Sequence, residues 1–98
     1  MIRSFRNRGT DDVFNGRNTR IAGRVCPPQL HSVARRKLDR LDDAVRLEDL
    51  AVPPQNRLEA LVGDRAGQHS IRVNDGYRVC FRWSTDGPEA VELVDYHS

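Results

Sequence analysis

The spacing of the hydrophobic residues changes once along this chain, from a helical period in the first half to strand alternation in the second. The helical stretch steps by three and four residues, which places one apolar stripe on a single side of an α-helix. Pro27 and Pro28 suit the first positions of a helix, so the spacing predicts a helix from about residue 28 to residue 45. Its apolar positions are Leu30, Val33, Ala34, Leu38, Leu41, Ala44 and Val45.

Beyond residue 57 apolar and polar residues alternate, as they do in half-buried β-strands. Two strands are predicted, one around Ile71 and one from Tyr77 to Trp83. The three residues 74–76, of sequence Asn-Asp-Gly, tolerate positive φ and predict the hairpin loop between them. A turn at residues 86–88 leads to a last strand from Val91 to about Tyr96, which makes an antiparallel meander of at least three strands.

One face of this meander needs an apolar cover, and the helix stripe is the partner that the sequence offers. The apolar face carries Ile71, Val73, Val79, Phe81, Val91 and Leu93. We therefore expect an α+β fold, with N-terminal helices packed on a small, mainly antiparallel sheet. A chain of 98 residues matches the usual size of one domain, so residues 1–98 are expected to form a single domain.

The other face of the sheet places an aromatic side chain among arginines. That combination suits single-stranded nucleic acid, although a solvated face covered by arginine stems gives the same pattern. The outward residues are Arg72, Arg78, Arg82, Val94 and Tyr96.

The N-terminal elements give weaker signals than the long helix. Residues 1–5 are compatible with an edge strand, and Thr10 is the expected N-cap of a short helix that ends at Gly16. Residues 17–24 show no clear period and are expected to form a loop or a frayed turn.

Composition excludes several classes of protein. No apolar run exceeds three residues, whereas a membrane span needs about 20 and a secretory signal about 7 to 15. The two cysteines, Cys26 and Cys80, are too few for a disulfide framework, so we expect a reduced cytoplasmic protein with both as small buried hydrophobes. A zinc site that adds His31 to them matches no compact spacing, and neither a metal nor a cofactor is expected.

Charge is distributed unevenly along the chain. Residues 1–40 carry a net charge of +7 and residues 41–98 a net charge of −5. The basic half is compatible with an anionic partner, although the excess of arginine over lysine also arises in proteins from GC-rich genomes.

Three segments resemble HigB-type toxins of the RelE superfamily: IRSFR at residues 2–6, RLEALVGDRAGQHSIRVNDGYRVCFRW at residues 57–83, and VELVDYH at residues 91–97. The resemblance implies a compact toxin of a type II toxin–antitoxin pair that cleaves messenger RNA in the ribosomal A site. It also implies a HigA-type antitoxin with a helix-turn-helix domain, through which the complex binds operator DNA.

The same resemblance selects candidate catalytic residues. The terminal Asp-Tyr-His of the family falls on Asp95, Tyr96 and His97, and its sheet arginine falls on Arg78. Some relatives have a catalytic histidine where this chain has Glu59, so the acid and base pair is constituted differently here. Phosphate contacts are expected from Arg65, Arg72 and Arg82.

Metal-free RNA cleavage requires a group that deprotonates the 2′-hydroxyl, a cation for the phosphorane and an acid for the leaving oxygen. His97 suits the proton transfers, Glu59 is a candidate base, and the fork of Arg78 suits two phosphate oxygens. Tyr96 is expected to stack on a base, and Asp95 to orient the histidine or to serve as a structural cap.

Structural roles and other functions remain open for these residues. The alternative role of Arg78 is an ion pair with Glu92 or Asp95, and that of Tyr96 is packing at the sheet edge. Glu59 has a solvated carboxylate without a catalytic role as its alternative. For the whole chain, the alternatives are a ParE-like inhibitor of DNA gyrase and a catalytically weak member that binds RNA or ribosomes.

Overall fold

The computed structural model describes residues 1–96 and has the expected α+β architecture. Three helices precede a four-stranded antiparallel sheet of order β1-β2-β3-β4. The helices are α1 (Arg8–Phe14), α2 (Arg20–Val25) and α3 (His31–Asp43), and the strands are β1 (Glu59–Ala60), β2 (His69–Arg72), β3 (Tyr77–Ser84) and β4 (Gly87–Asp95).

The apolar face of the sheet packs on the stripe of α3, as the sequence predicts. Ala34, Leu38 and Leu41 are fully buried in that stripe. All six residues expected on the inner face of the sheet are also buried: Ile71, Val73, Val79, Phe81, Val91 and Leu93. This shared core holds the sheet against the helices and leaves the opposite face of the sheet outward.

The predicted helix is confirmed, but its ends differ. Residues 28–30 form a 3-10 turn, and the α-helix proper begins at His31. It ends at Asp43 because Ala44 is extended, with φ −66° and ψ 131°.

Two predictions for the N-terminal helices need correction. Asn7, and not Thr10, caps α1 by accepting the Thr10 N–H at 2.9 Å. Thr10 lies inside the helix and is fully buried, where its hydroxyl accepts the Leu93 N–H at 3.1 Å. Residues 20–25, within the expected loop, form α2 because the Thr19 hydroxyl caps the helix and Ala22 packs into the core.

The predicted edge strand at residues 1–5 is not a full strand. The segment lies beside β4 and makes one parallel bridge, between Phe5 and Val91. The last strand begins earlier than expected, at Gly87, and the short strand β1 extends the sheet beyond β2.

The hairpin between β2 and β3 forms as predicted. The Val73 N–H donates to the Tyr77 carbonyl at 2.9 Å, which encloses the three residues 74–76. The side chain of Asn74 accepts the N–H groups of Gly76 and Tyr77 at 2.9 and 2.8 Å, so this residue fixes the turn.

Candidate functional site

Arg78 is held rigidly on the outward face of the sheet. Its Nε donates to the Ser70 hydroxyl at 2.7 Å, and its Nη2 donates to the Arg57 carbonyl at 2.6 Å. The side chain is 13% exposed, and its Nη1 makes no hydrogen bond within residues 1–96. The guanidinium is therefore fixed along one side, and on its other side Nη1 has no partner among the described residues.

Glu59 lies next to this arginine. Its Oε2 is 3.9 Å from Arg78 Nη2, and its side chain is 55% exposed. The short strand β1 creates the proximity, because Glu59 is directly opposite Ser70 in the sheet and Ser70 contacts Arg78. The fold thus brings together two residues that the sequence selected separately.

An open cleft of about 660 Å³ borders Arg78 and Glu59. Its charged lining consists of three arginines, one glutamate and one aspartate, which leaves a net positive charge that suits an anionic ligand. Arg72 lies directly across from Arg78 in the sheet and pairs with Asp75, in the hairpin loop. The cleft is lined by Pro54, Gln55, Arg57, Glu59, Arg72, Asn74, Asp75 and Arg78.

Tyr96 lies on the same face, above the buried Cys80. Its hydroxyl is 3.6 Å from the Cys80 sulfur, while 41% of the residue remains exposed. Burial and the hydrogen bond with Cys80 raise the pKa of Tyr96, so its hydroxyl stays protonated near neutral pH. The residue combines packing against the sheet with an exposed ring surface.

Arg65 occupies the other end of the outward face and has an ion pair with Glu92. Its Nη1 is 3.2 Å from Glu92 Oε1, and Arg6 approaches the same carboxylate at 3.7 Å. Of the two ion pairs considered as alternatives for Arg78, the one with Glu92 does not form, because Glu92 lies opposite Cys80 and is engaged by these two arginines. A second cleft of about 390 Å³ joins Arg65 and Arg82.

Asp95 lies opposite Tyr77 at the end of β4. Burial raises the pKa of Tyr77, and the charge and hydrogen bond of Asp95 raise it further. Asp95 thus has a structural contact with Tyr77, and both its capping role and its role toward the histidine stay predictions. His97 lies outside the described residues, so its role stays a prediction.

The cysteines have the expected environment. Cys26 and Cys80 are both buried and free. Burial raises the pKa of Cys26 to about 11, and it also raises the pKa of Cys80. Both are therefore thiols at neutral pH, poorly suited to act as nucleophiles.

The other polar candidates have structural surroundings. His31 Nε2 lies 3.0 Å from the Ala22 carbonyl and 2.9 Å from the Cys26 carbonyl, which ties α3 to the end of α2. His69 stacks on Phe81 with ring centroids 6.3 Å apart. Within residues 1–96, no three His, Cys, Asp or Glu side chains converge as metal ligands.

Sequence reasoning missed Lys37 and Asn56. Lys37 lies on α3, and its Nζ donates to Asn56 Oδ1 at 2.7 Å. Burial lowers the pKa of Lys37, and the nearby charges of Arg40, Arg36 and Arg72 lower it further. Hydrophobic periodicity gives no signal for Asn56, because this residue follows two prolines in an irregular segment. Only its complete burial in the structure indicates that its side chain has a structural role.

A sequence profile described as "RelE-like toxin of type II toxin-antitoxin system HigB" matches residues 3–97. The match covers almost the whole chain. The chain belongs to the HigB-like toxin family. As a HigB-type toxin of a type II system, it has an antitoxin as its implied partner.

Individual relatives of this HigB-type toxin support the assignment. A protein named Toxin HigB-1, from Vibrio cholerae, is 42% identical over 74 residues, which cover 76% of this chain and 77% of that protein. An uncharacterized protein from Haemophilus influenzae is 37% identical over 72 residues, which cover 74% of this chain and 70% of that protein. In residues 1–96, the toxin has no helix long and apolar enough to cross a lipid bilayer.

Proposed function

We propose that this HigB-type toxin is an endoribonuclease that cleaves messenger RNA in the ribosomal A site. The single observation that carries the proposal is the guanidinium of Arg78, which Ser70 and the Arg57 carbonyl hold beside a cleft of about 660 Å³ and 3.9 Å from a carboxylate, with an Nη1 that makes no hydrogen bond within residues 1–96. A fixed cation next to a proton acceptor suits a reaction in which negative charge builds on a phosphate.

Arg78 stabilises the phosphorane in this scheme. Because Ser70 and the Arg57 carbonyl already hold the guanidinium, little reorganisation is needed as charge develops in the transition state. Arg57 and Arg72 line the same cleft and add positive potential around the phosphate.

Glu59 is the proposed general base. A phosphate bound at Nη1 of Arg78 would lie beside the Glu59 carboxylate, which could accept the proton of the adjacent 2′-hydroxyl. The hydroxyl oxygen then forms a bond to phosphorus, and the bond from phosphorus to the 5′-oxygen breaks. The products are a 2′,3′-cyclic phosphate and a 5′-hydroxyl.

The leaving 5′-oxygen needs a proton, which we assign to His97. An unperturbed histidine titrates near pH ~6.5, so a protonated fraction is available at neutral pH. Asp95, two residues before it, is proposed to orient the tail. The assignment rests on the family resemblance, since His97 lies outside the described residues.

Tyr96 is proposed to stack on a base next to the scissile phosphate. Its exposed ring provides a surface for stacking, and its contact with Cys80 restricts the ring. Stacking would hold the ribose and phosphate in line, which is a positioning contribution to the rate.

Arg65, Arg72 and Arg82 are proposed to bind phosphates that flank the cut. Arg72 belongs to the main cleft, while Arg65 and Arg82 share the second cleft of about 390 Å³. Such contacts would position the RNA strand without selecting its sequence. The ribosome is expected to complete the alignment, because the toxin offers few catalytic groups of its own.

The proposed partner is a HigA-type antitoxin with a helix-turn-helix domain, and the complex is proposed to bind operator DNA through that domain. The longest helix in residues 1–96, α3, is followed by 3-10 turns and the sheet, and not by a second helix that could enter a DNA groove. Specific operator binding by the isolated toxin at physiological salt would contradict the proposal that the antitoxin recognises the DNA. We also propose a cytoplasmic location, because the proposed activity requires translating ribosomes.

The contact between Glu59 and Arg78 supports one second candidate. Some relatives are expected to carry a catalytic histidine at this position, whereas Glu59 here forms an ion pair with Arg78, so a member that binds RNA or ribosomes while cleaving weakly is the alternative.

The deciding experiment combines purified toxin with end-labelled message, with and without programmed ribosomes. We expect cutting on the ribosome, 5′-hydroxyl ends, and activity that survives a chelator dosed so that ribosomes stay assembled. Replacing the ribose before the cut by 2′-deoxyribose should abolish cleavage. Formation of 5′-phosphate ends, or equal cutting of the deoxy substrate, would refute attack by the 2′-hydroxyl, and binding without any cleavage would favour the second candidate.

A further inference from the structure

The side chain of Asn56 anchors the irregular segment next to the cleft. Its Nδ2 donates to the carbonyls of Leu50 and Val52 at 3.2 and 3.3 Å, and its Oδ1 accepts from Lys37 Nζ at 2.7 Å. The residue is fully buried. All of its amide's polar atoms are thus engaged, and the third contact ties the segment to helix α3.

The residue after Asn56 holds the guanidinium of the proposed site. Arg57 has a left-handed backbone, with φ 47° and ψ 57°, which is uncommon for a residue other than glycine. Its N–H donates to the Pro54 carbonyl at 3.0 Å, and its own carbonyl accepts from Arg78 Nη2 at 2.6 Å. The direction of this carbonyl therefore depends on the conformation of the segment that Asn56 fixes.

Lys37 connects helix α3 to Asn56. It is the single lysine of the protein, and it forms no ion pair within residues 1–96. Three arginines act on it unfavourably, so electrostatics alone do not favour a cation at this point. The hydrogen bond to Asn56 is the specific contact that its ammonium makes in the described part of the chain.

We propose that Lys37 and Asn56 are positioning residues for Arg78, acting through the Arg57 carbonyl. The inference rests on the proposed ribonuclease function for its kinetic consequence, but the structural linkage can be tested without it. Neither residue contacts Arg78 in the structure. Their effect on catalysis should therefore disappear when the fork of Arg78 is removed.

The kinetic test uses Lys37→Met, which keeps an unbranched side chain but removes the ammonium donor. The matched control is Arg36→Met, which removes one positive charge from the exposed side of the same helix. We expect Lys37→Met to lower kcat on programmed ribosomes about 10-fold more than the control, with KM changed equally in both. Thermal unfolding of both variants would verify that they are folded at the assay temperature.

A double-mutant cycle shows whether the loss acts through Arg78. In an Arg78→Lys background, Lys37→Met should lower kcat by less than about 2-fold beyond its control. The guanidinium that Lys37 and Asn56 are proposed to position is already absent in that background. An undiminished 10-fold loss in that background would overturn the inference, as would a wild-type kcat in Lys37→Met.

A second readout does not depend on activity. The Nε–H of Arg78 donates to Ser70 in the folded protein, so its ¹⁵N–¹H resonance should be distinct and should exchange slowly with water. Lys37→Met should shift this resonance and accelerate its exchange, whereas Arg36→Met should leave it in place. An unaltered Arg78 signal in Lys37→Met would overturn the linkage. If the wild-type toxin proves unable to cut RNA, the proposed function fails and this measurement still decides the linkage.

Discussion

The Arg57 carbonyl accepts a hydrogen bond of 2.6 Å from Arg78, a residue 21 positions later in the chain. This bond joins an irregular segment to the third strand of the sheet, and a second bond, from Nε to the Ser70 hydroxyl, holds the same side of the guanidinium. The arginine most central to the proposed chemistry is thus oriented by neutral oxygen atoms. Its ion pair with Glu59 is long, at 3.9 Å, and the Glu59 side chain is half exposed, so solvent weakens the pair and the guanidinium can still bind a phosphate.

Replacement of Arg78 by lysine should lower the cleavage rate by about 10² to 10³-fold, the usual cost of losing one preorganised donor. Lysine retains a charge but cannot satisfy Ser70, the Arg57 carbonyl and a phosphate together. Single-turnover cleavage on programmed ribosomes measures the effect, with circular dichroism to verify the fold. A lysine variant with full activity would reduce Arg78 to a general counter-charge.

Glu59 can be tested by two substitutions with opposite expectations. Glu59→Gln keeps the shape but cannot accept a proton, so we expect a loss of about 10²-fold in the cleavage rate. Glu59→His should retain or increase the rate, since histidine is the residue that some relatives are expected to carry there. Equal activity of the wild type and the glutamine variant would remove Glu59 from the catalytic scheme.

His97→Ala should abolish growth arrest and lower the cleavage rate by about 10² to 10⁴-fold, as expected for loss of a general acid. The matched control is Ser98→Ala, which alters the next residue without affecting a proton donor. Comparable thermal unfolding of the two variants would attribute the loss to chemistry. If His97→Ala arrests growth as strongly as its control, the tail has no catalytic role.

The buried thiol of Cys26 should make the folded protein less stable at alkaline pH. Burial raises the pKa of its thiol to about 11 in the folded protein, whereas the thiol of an unfolded chain ionises near pH ~8.5. The unfolded state therefore binds fewer protons over this interval. The contribution to stability is complete below about pH 8.5 and decreases as the pH rises toward 11.

Urea unfolding of the wild type and Cys26→Ala, followed from about pH 8 to about pH 10, measures this contribution. The alanine variant should be less stable at the lower pH because a buried group is lost, but its stability should fall less steeply as the pH rises. Other titrating groups are common to both proteins and cancel in the difference. Parallel curves for the two proteins would contradict the assignment to Cys26.

The outward face of the sheet shows which features of the site can be predicted from local sequence. Strand alternation placed Arg72, Arg78 and Tyr96 on one face, and the structure has all three there. Alternation gives this result because side chains on successive strand residues point to opposite sides. It could not predict that Glu92 would be engaged by Arg6 and Arg65, because that choice depends on segments distant in the chain.

Thr10 and α2 show a related limit. The local pattern predicts Thr10 as an N-cap, and the absence of a clear hydrophobic period predicts a loop where α2 forms. Burial in the tertiary structure decides otherwise in both places. Thr10 is used inside the helix to accept the Leu93 N–H, and α2 is stabilised by Ala22 in the core. Weak local preferences are overridden where burial of a side chain or pairing of a buried polar group contributes more to stability.

The sequence by itself determined the α+β architecture and the hairpin, because hydrophobic period and turn residues act over a few neighbouring positions. It also carried the family resemblance. The tertiary structure alone decided the arrangement of the candidate site: Asn56 buried beneath it, Arg57 turned to offer its carbonyl, and β1 bringing Glu59 to Arg78. These contacts join residues through packing and long-range hydrogen bonds, whose partners have no fixed separation along the chain.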